Sequence, residues 1–146
     1  MIINPTTIPG SFLIVPEPVQ DERGFFARAV CTDEFARQGM NANFAQQSIS
    51  FNHRRGTLRG MHYQAEPHSE EKLVRVTSGA IFDVVVDLRV DSPTFRQWYG
   101  TELTADNHHA LYIPKGVAHG FLTLVDKTEI LYQMTTSYHQ DSACGI

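Results

Sequence analysis

Apolar and polar positions alternate in short runs along most of the chain, and these runs are rich in β-branched and aromatic residues. They are Phe12–Val15, Gly24–Val30, Phe44–Ser50, Thr57–Gln64, Leu73–Thr77, Ala80–Leu88, Phe95–Leu103, Ala110–Ile113, His119–Val125 and Thr128–Ser137. Gly, Pro, Asn and Asp separate them, the punctuation expected between strands. One stretch reads as a helix. Thr32 suits its N-cap, Asp33 and Glu34 occupy the first turn, where the helix dipole favours negative charge, and Gly39 suits its end. The pattern predicts an all-β fold, a sandwich or barrel with one short helix. No repeat, low-complexity tract or linker interrupts the 146 residues, so residues 1–146 are expected to form a single domain.

Charged residues inside the predicted strands sharpen this picture. In Ile81–Asp87, Asp83 and Asp87 fall on the face opposite Phe82, Val84 and Val86. In Lys72–Val76, Lys72 shares a face with Val74 and Val76, while Arg75 lies on the other. One face of each strand must be wet or must line a polar cavity, and a small barrel with a ligand in its mouth meets both demands.

Composition narrows the function classes. The formal charge is −4, so no global basic field points to nucleic acid or an anionic membrane. The run His53-Arg54-Arg55 with Arg59 is the one local basic cluster. No apolar run is long enough to span a bilayer and no signal peptide is evident, which predicts a cytoplasmic protein without membrane contact. Cys31 and Cys144 lie far apart, outside any metal-like spacing, and read as free thiols.

Three histidine-bearing segments carry the candidate chemistry: Arg59-Gly60-Met61-His62, His68-Ser69-Glu70-Glu71-Lys72, and the tight turn Pro114-Lys115-Gly116-Val117-Ala118-His119-Gly120. The last looks like the second motif of cupin barrels, whose metal-binding members use three His and one Glu. Here the first motif reads His62-Tyr63-Gln64, which lacks one nitrogen ligand, so no metal or other cofactor is expected. The remaining residue types suit proton transfer. His62 can take a proton at neutral pH, Lys72 can stabilise an oxyanion, and Tyr132 can donate a proton. Arg59 and His119 suit phosphate oxygens. A base, a cation and an acid around one pocket describe proton abstraction beside a carbonyl.

The segments Asp21-Glu22-Arg23-Gly24-Phe25-Phe26, Gly56–Gln64, Lys72-Leu73-Val74-Arg75-Val76, Gly79–Arg89, Ser92-Pro93-Thr94-Phe95, Ile113–Phe121 and Thr128–Tyr132 together resemble the dTDP-4-dehydrorhamnose 3,5-epimerase family, in order, from about Ile14 to Ile146. The resemblance implies a cupin-like jelly-roll β-barrel and a metal-free epimerase acting on a nucleoside-diphosphate 4-keto-6-deoxyhexose. By the same resemblance His62 is the base at C3 and C5, Lys72 steadies the enolate oxygen, and Tyr132 returns a proton from the opposite face. Arg59 and His119 meet sugar and diphosphate, Gln47 lies in the nucleotide-binding segment, and Tyr138 stacks on the base. It also implies a homodimer in which an N-terminal strand crosses over, so that Arg23 and Phe26 complete the partner's site.

Departures from the family carry their own expectations. The family's histidine-pairing Asp and a neighbouring Lys lie beyond the position of Ile146, which leaves Asp83, on a neighbouring strand, as a candidate to substitute in part as the acceptor for His62. Arg28 and Ala143 stand where the family often has Glu, and Gln47-Ser48-Ile49 lacks the usual Asp-Asn after Gln. Arginine has donors only, so base preference is expected to be altered or relaxed. Three alternatives stay open: epimerisation at one centre only or with the carbonyl moved, a catalytically impaired sugar-nucleotide-binding cupin, and a metal cupin using His62, His68, Glu71 and His119.

Overall fold

A computed structural model describes residues 1–146. In chain order the elements are β1 (Ile2–Pro5), β2 (Phe12–Val15), β3 (Val19–Asp21), β4 (Gly24–Phe26), α1 (Thr32–Arg37), β5 (Gln46–Asn52) and β6 (Leu58–Gln64). There follow β7 (Lys72–Ser78), β8 (Ala80–Asp87), β9 (Trp98–Thr104), β10 (Ala110–Ile113), β11 (Val117–Thr123), β12 (Thr128–Met134), a 3-10 turn (Gln140–Ser142) and β13 (Ala143–Gly145). Two antiparallel sheets face each other in a jelly roll, ordered β1-β2-β10-β7-β12-β5 and β13-β6-β11-β8-β9. The pair β3–β4 bonds only to itself. No helix is long and apolar enough to cross a membrane.

Alternation explains what the two sheets enclose. Val74, Val76, Leu111, Ile113 and Ile130 from the first sheet pack against Ile81, Val85, Leu103, Val117 and Phe121 from the second. Each side chain is almost wholly removed from water, at about 1.5–3 kcal/mol apiece. A second cluster lies on the outer face of the first sheet, where Phe35 of α1 covers Ile14, Leu73, Ala110 and Tyr112. The helix N-cap is Cys31, with extended backbone, and Thr32 is instead the first helical residue. No side chain caps it; the Cys31 carbonyl simply accepts the Phe35 N–H.

The predicted faces of β7 and β8 are found. Asp83 and Asp87 point inward with Ile81 and Val85 and are fully buried, while Phe82 points out. Asp87 is satisfied by Arg89, Ser92 and Thr94 at 2.6–2.8 Å and pins the end of β8 to the following loop. Asp83 is held differently, and its surroundings define the site.

Candidate active site

The site is built around β6 and β11. These strands approach so closely that a Cβ on Gly60 would stand 2.5 Å from the Gly120 Cα, and Gly60 itself adopts φ +115°. Only glycine fits both conditions. The register shifts between His119 and Phe121, and His62 becomes the direct partner of His119. Residues opposed in this way are neighbours on one face of a sheet. The two histidines predicted from separate motifs therefore meet.

Other strands close the space around them. Lys72 opens β7, Tyr132 lies on β12 and Ser50 on β5. Together with Arg59, His62 and His119 they line an inner cavity of about 230 Å³. His62 and Lys72 also face a wider cleft of about 530 Å³, whose remaining wall includes Gln64, Glu70, Tyr138 and Cys144. The strand β13 forms that wall by pairing with β6, Gly145 opposite His62. His62 and Lys72 are thus the partition between the inner cavity and the open cleft.

Hydrogen bonds set the electrostatics. Nε2 of His119 lies 2.6 Å from Oδ1 of Asp83, both side chains buried. Asp83 is therefore not the partner of His62: inward alternation on β8 aims it at the ring from β11. The second oxygen of Asp83 is buried without a partner. Tyr132 lies edge-on to His119 with ring centroids 5.8 Å apart. Burial pushes its phenol well above the usual range, and the charge of Asp83 adds to this against a smaller opposing effect of Arg59. Tyr132 consequently remains an O–H donor at any physiological pH. Arg59 Nε donates to Asn52 Oδ1 at 2.7 Å, which holds its guanidinium toward the inner cavity. Lys72 Nζ lies 2.9 Å from Glu70 Oε1.

Several expected residues stand elsewhere. Gln47 does not reach the site, because on β5 it points outward with Ile49 and Phe51 while Gln46, Ser48 and Ser50 face in. Gln46, unnoticed in the sequence, accepts the Tyr138 N–H through its side-chain oxygen at 2.9 Å. Arg23 and Phe26 sit on the β3–β4 hairpin, away from both cavities, and Phe26 is 80 % exposed. Arg28 is engaged by Glu34 of α1 at 2.7 Å. The residues of the metal alternative do not assemble. No three His, Cys, Asp or Glu side chains converge as a metal site, and the His68 ring stacks on His139 at 3.5 Å instead. Glu70, Ser50 and Asn52 also belong to the site without having been singled out. The only sequence signal of Ser50 and Asn52 was an inward position on β5, and that of Glu70 was its place in the segment His68–Lys72, in the loop before β7.

Comparison with known proteins places this arrangement. The profile of the dTDP-4-dehydrorhamnose 3,5-epimerase family matches residues 5–146. The chain belongs to that family. It is 43 % identical to the dTDP-4-dehydrorhamnose 3,5-epimerase of Escherichia coli K12, over 97 % of this chain and 76 % of the relative. A crystal structure of the Bacillus anthracis dTDP-4-dehydrorhamnose 3,5-epimerase, with TDP and PPi bound, superposes with a TM-score of 0.94 at 41 % identity, covering 99 % of this chain and 83 % of that one. A dTDP-4-dehydrorhamnose 3-epimerase of Streptomyces niveus is 37 % identical over 100 % of this chain and 70 % of the relative. Membership in this epimerase family accounts for a jelly roll whose inner cavity gathers a histidine, a lysine and a tyrosine.

Proposed function

We propose that this chain epimerises a nucleoside-diphosphate 4-keto-6-deoxyhexose at C3 and C5 through an enolate. The observation that carries the reading is the convergence of His62, Lys72 and Tyr132, from three strands, on one cavity. A C4 ketone acidifies the hydrogens on both flanking carbons. His62 takes the proton, and the Lys72 ammonium stabilises the charge that develops on the C4 oxygen. Tyr132, held protonated by burial, returns a proton from the other side of the ring, which inverts the centre. Arg59 and His119 meet the sugar and diphosphate, and Tyr138, 61 % exposed on the cleft, stacks on the base.

The test is incubation with dTDP-4-keto-6-deoxyglucose in D₂O, with deuterium followed by NMR. Label at C3 and C5 supports the double epimerase. Label at C3 alone selects a mono-epimerase, a reading the Streptomyces niveus relative keeps in play. No label with any nucleotide form of the sugar overturns the proposal and favours a binder. Because Arg28 is donor-only and already paired with Glu34, base preference is read as relaxed. Comparable exchange with UDP, CDP and GDP forms supports that part, and strong dTDP selectivity removes it.

The working unit we infer is a homodimer. The β3–β4 hairpin exposes Val19 and Phe26 and pairs with no other strand. The first sheet ends at β5, an edge strand whose outward Ile49 and Phe51 are uncovered. On the same outer face Arg75 of β7 has Nε and one terminal nitrogen buried without an acceptor, and this desolvation lowers its pKa. Two buried guanidinium nitrogens with no acceptor in their own chain are accounted for by one from a second copy. A crossing hairpin then brings Arg23 and Phe26 to the partner's site. Residues 1–146 act as one domain in this reading. The free thiols of Cys31 and Cys144 suit the cytoplasm.

A further inference from the structure

Glu70 is a largely enclosed carboxylate in the candidate site, its side chain 9 % exposed, with no part in the chemistry so far described. It touches the one flexible cation of the site. Lys72 Nζ lies 2.9 Å from Glu70 Oε1 and 3.5 Å from the His62 carbonyl oxygen. The ammonium is thereby held between a carboxylate and a backbone carbonyl, with donor capacity left for a ligand.

The carboxylate is itself held. Gln64 Nε2 donates to Glu70 Oε2 at 3.3 Å, and also to the carbonyl oxygens of His68 and Ser137 at 3.0 and 3.3 Å. Gln64 Oε1 in turn accepts the His139 N–H at 2.6 Å. Gln64 is buried and shares a strand face with His62, two residues away. A continuous polar chain therefore runs from the backbone at 137–139 through Gln64 to Glu70 by hydrogen bonds and from Glu70 to Lys72 by an ion pair, referenced to the strand that carries His62.

A lysine side chain has four rotatable bonds, and a cation serves a developing oxyanion best when its position is set beforehand. The negative charge beside it has a second effect, since it offsets the attraction of Lys72 for any anion, ground state included. We propose that Glu70 is the positioning residue of Lys72: it fixes the ammonium beside His62 and weakens its hold on the bound substrate. The proposal rests on the epimerase reading, in which Lys72 faces the C4 oxygen. It predicts a split between the two kinetic constants. Glu70→Gln removes the charge and loosens the lysine, so kcat falls about tenfold while KM falls severalfold. Glu70→Asp keeps the charge with a shorter reach, so kcat falls and KM stays within twofold of the parent.

The experiment measures kcat and KM for the whole chain and both variants with dTDP-4-keto-6-deoxyglucose, and deuterium uptake at C3 and C5 beside them. If the parent protein exchanges no deuterium, the epimerase reading fails. If the parent is active and Glu70→Gln keeps both constants, the positioning role is overturned. A fall in kcat accompanied by a rise in KM also overturns it, since that marks general damage to the site. Thermal unfolding is followed in parallel, and should Glu70→Gln not fold, the same kcat and KM criteria applied to Glu70→Asp decide the matter.

Discussion

Tyr132 shows how one side chain acquires its role from its surroundings. Its phenol is buried near the Asp83 carboxylate, and both effects disfavour the phenolate. Ionisation of Tyr132 therefore takes no part in any loss of activity below about pH 10, the ordinary phenol value. Tyr132→Phe is expected to separate two events. Epimerised product should fall by about 10²–10⁴, the usual worth of a positioned acid, while deuterium uptake at the carbon next to the ketone persists, because His62 still removes and returns the proton on its own face. Loss of exchange together with product would show that Tyr132 is needed for abstraction and would refute this division of labour. Residue type and strand placement were enough to name His62, Lys72 and Tyr132 as candidates that the structure places around one cavity. They were not enough for Asp83, whose hydrogen-bonding partner, His119, is set by the register of β8 against β11. Nor did they serve for Gln47, since in Gln46-Gln47-Ser48-Ile49-Ser50 the parity of inward positions cannot be read from a polar run.

At the scale of elements, Asp87 is the clearest structural investment. Burial alone would raise its pKa, but hydrogen bonds from Arg89, Ser92 and Thr94 outweigh that and hold the carboxylate well below its usual range. Its folded pKa is depressed, so the stability it contributes is present above the unfolded value of about 3.9 and is lost as pH falls toward the folded value. Asp87→Asn should cost about 1.5–3 kcal/mol at pH 7. It should also flatten the decline of stability between about pH 4 and pH 2, measured as the urea midpoint at each pH. An unchanged slope would mean that other carboxylates govern acid unfolding. Among the strands from β5 to β12, β5 and β8 were legible because each has a drier face and a wetter one, and β10 and β11 because they are short apolar runs buried on nearly every side. The elements β1, β3 and β13 were not. They have three or four mostly exposed residues each, and pairing alone makes them strands. The N-cap was misplaced by one residue for a related reason: a backbone carbonyl, with no diagnostic side chain, starts the helix.

At the scale of the molecule, the proposed homodimer turns on Arg23 and Phe26. Both sit on a hairpin that pairs with no other strand of its own chain, while His62 lies on β6 and lines the cavity. If the hairpin crosses over, each complete site takes His62 from one chain and Arg23 from the other, and the two defects can be separated by mixing. Arg23→Ala and His62→Asn homodimers should both be nearly inactive. In a mixed dimer, the site that keeps His62 receives its hairpin from the His62→Asn chain, which still carries Arg23. That site is whole, and the other carries both defects. Random pairing makes half the dimers mixed, each with one working site of two, so co-expressed chains should recover about a quarter of parental activity. If Arg23 served its own barrel instead, a mixed dimer would hold one site without His62 and one without Arg23, and co-expression would restore nothing. Restored activity therefore reports the crossing itself. An Ile49→Glu change on the uncovered face of β5, introduced into both chains, should abolish the recovery by charging the surface proposed to meet the second copy.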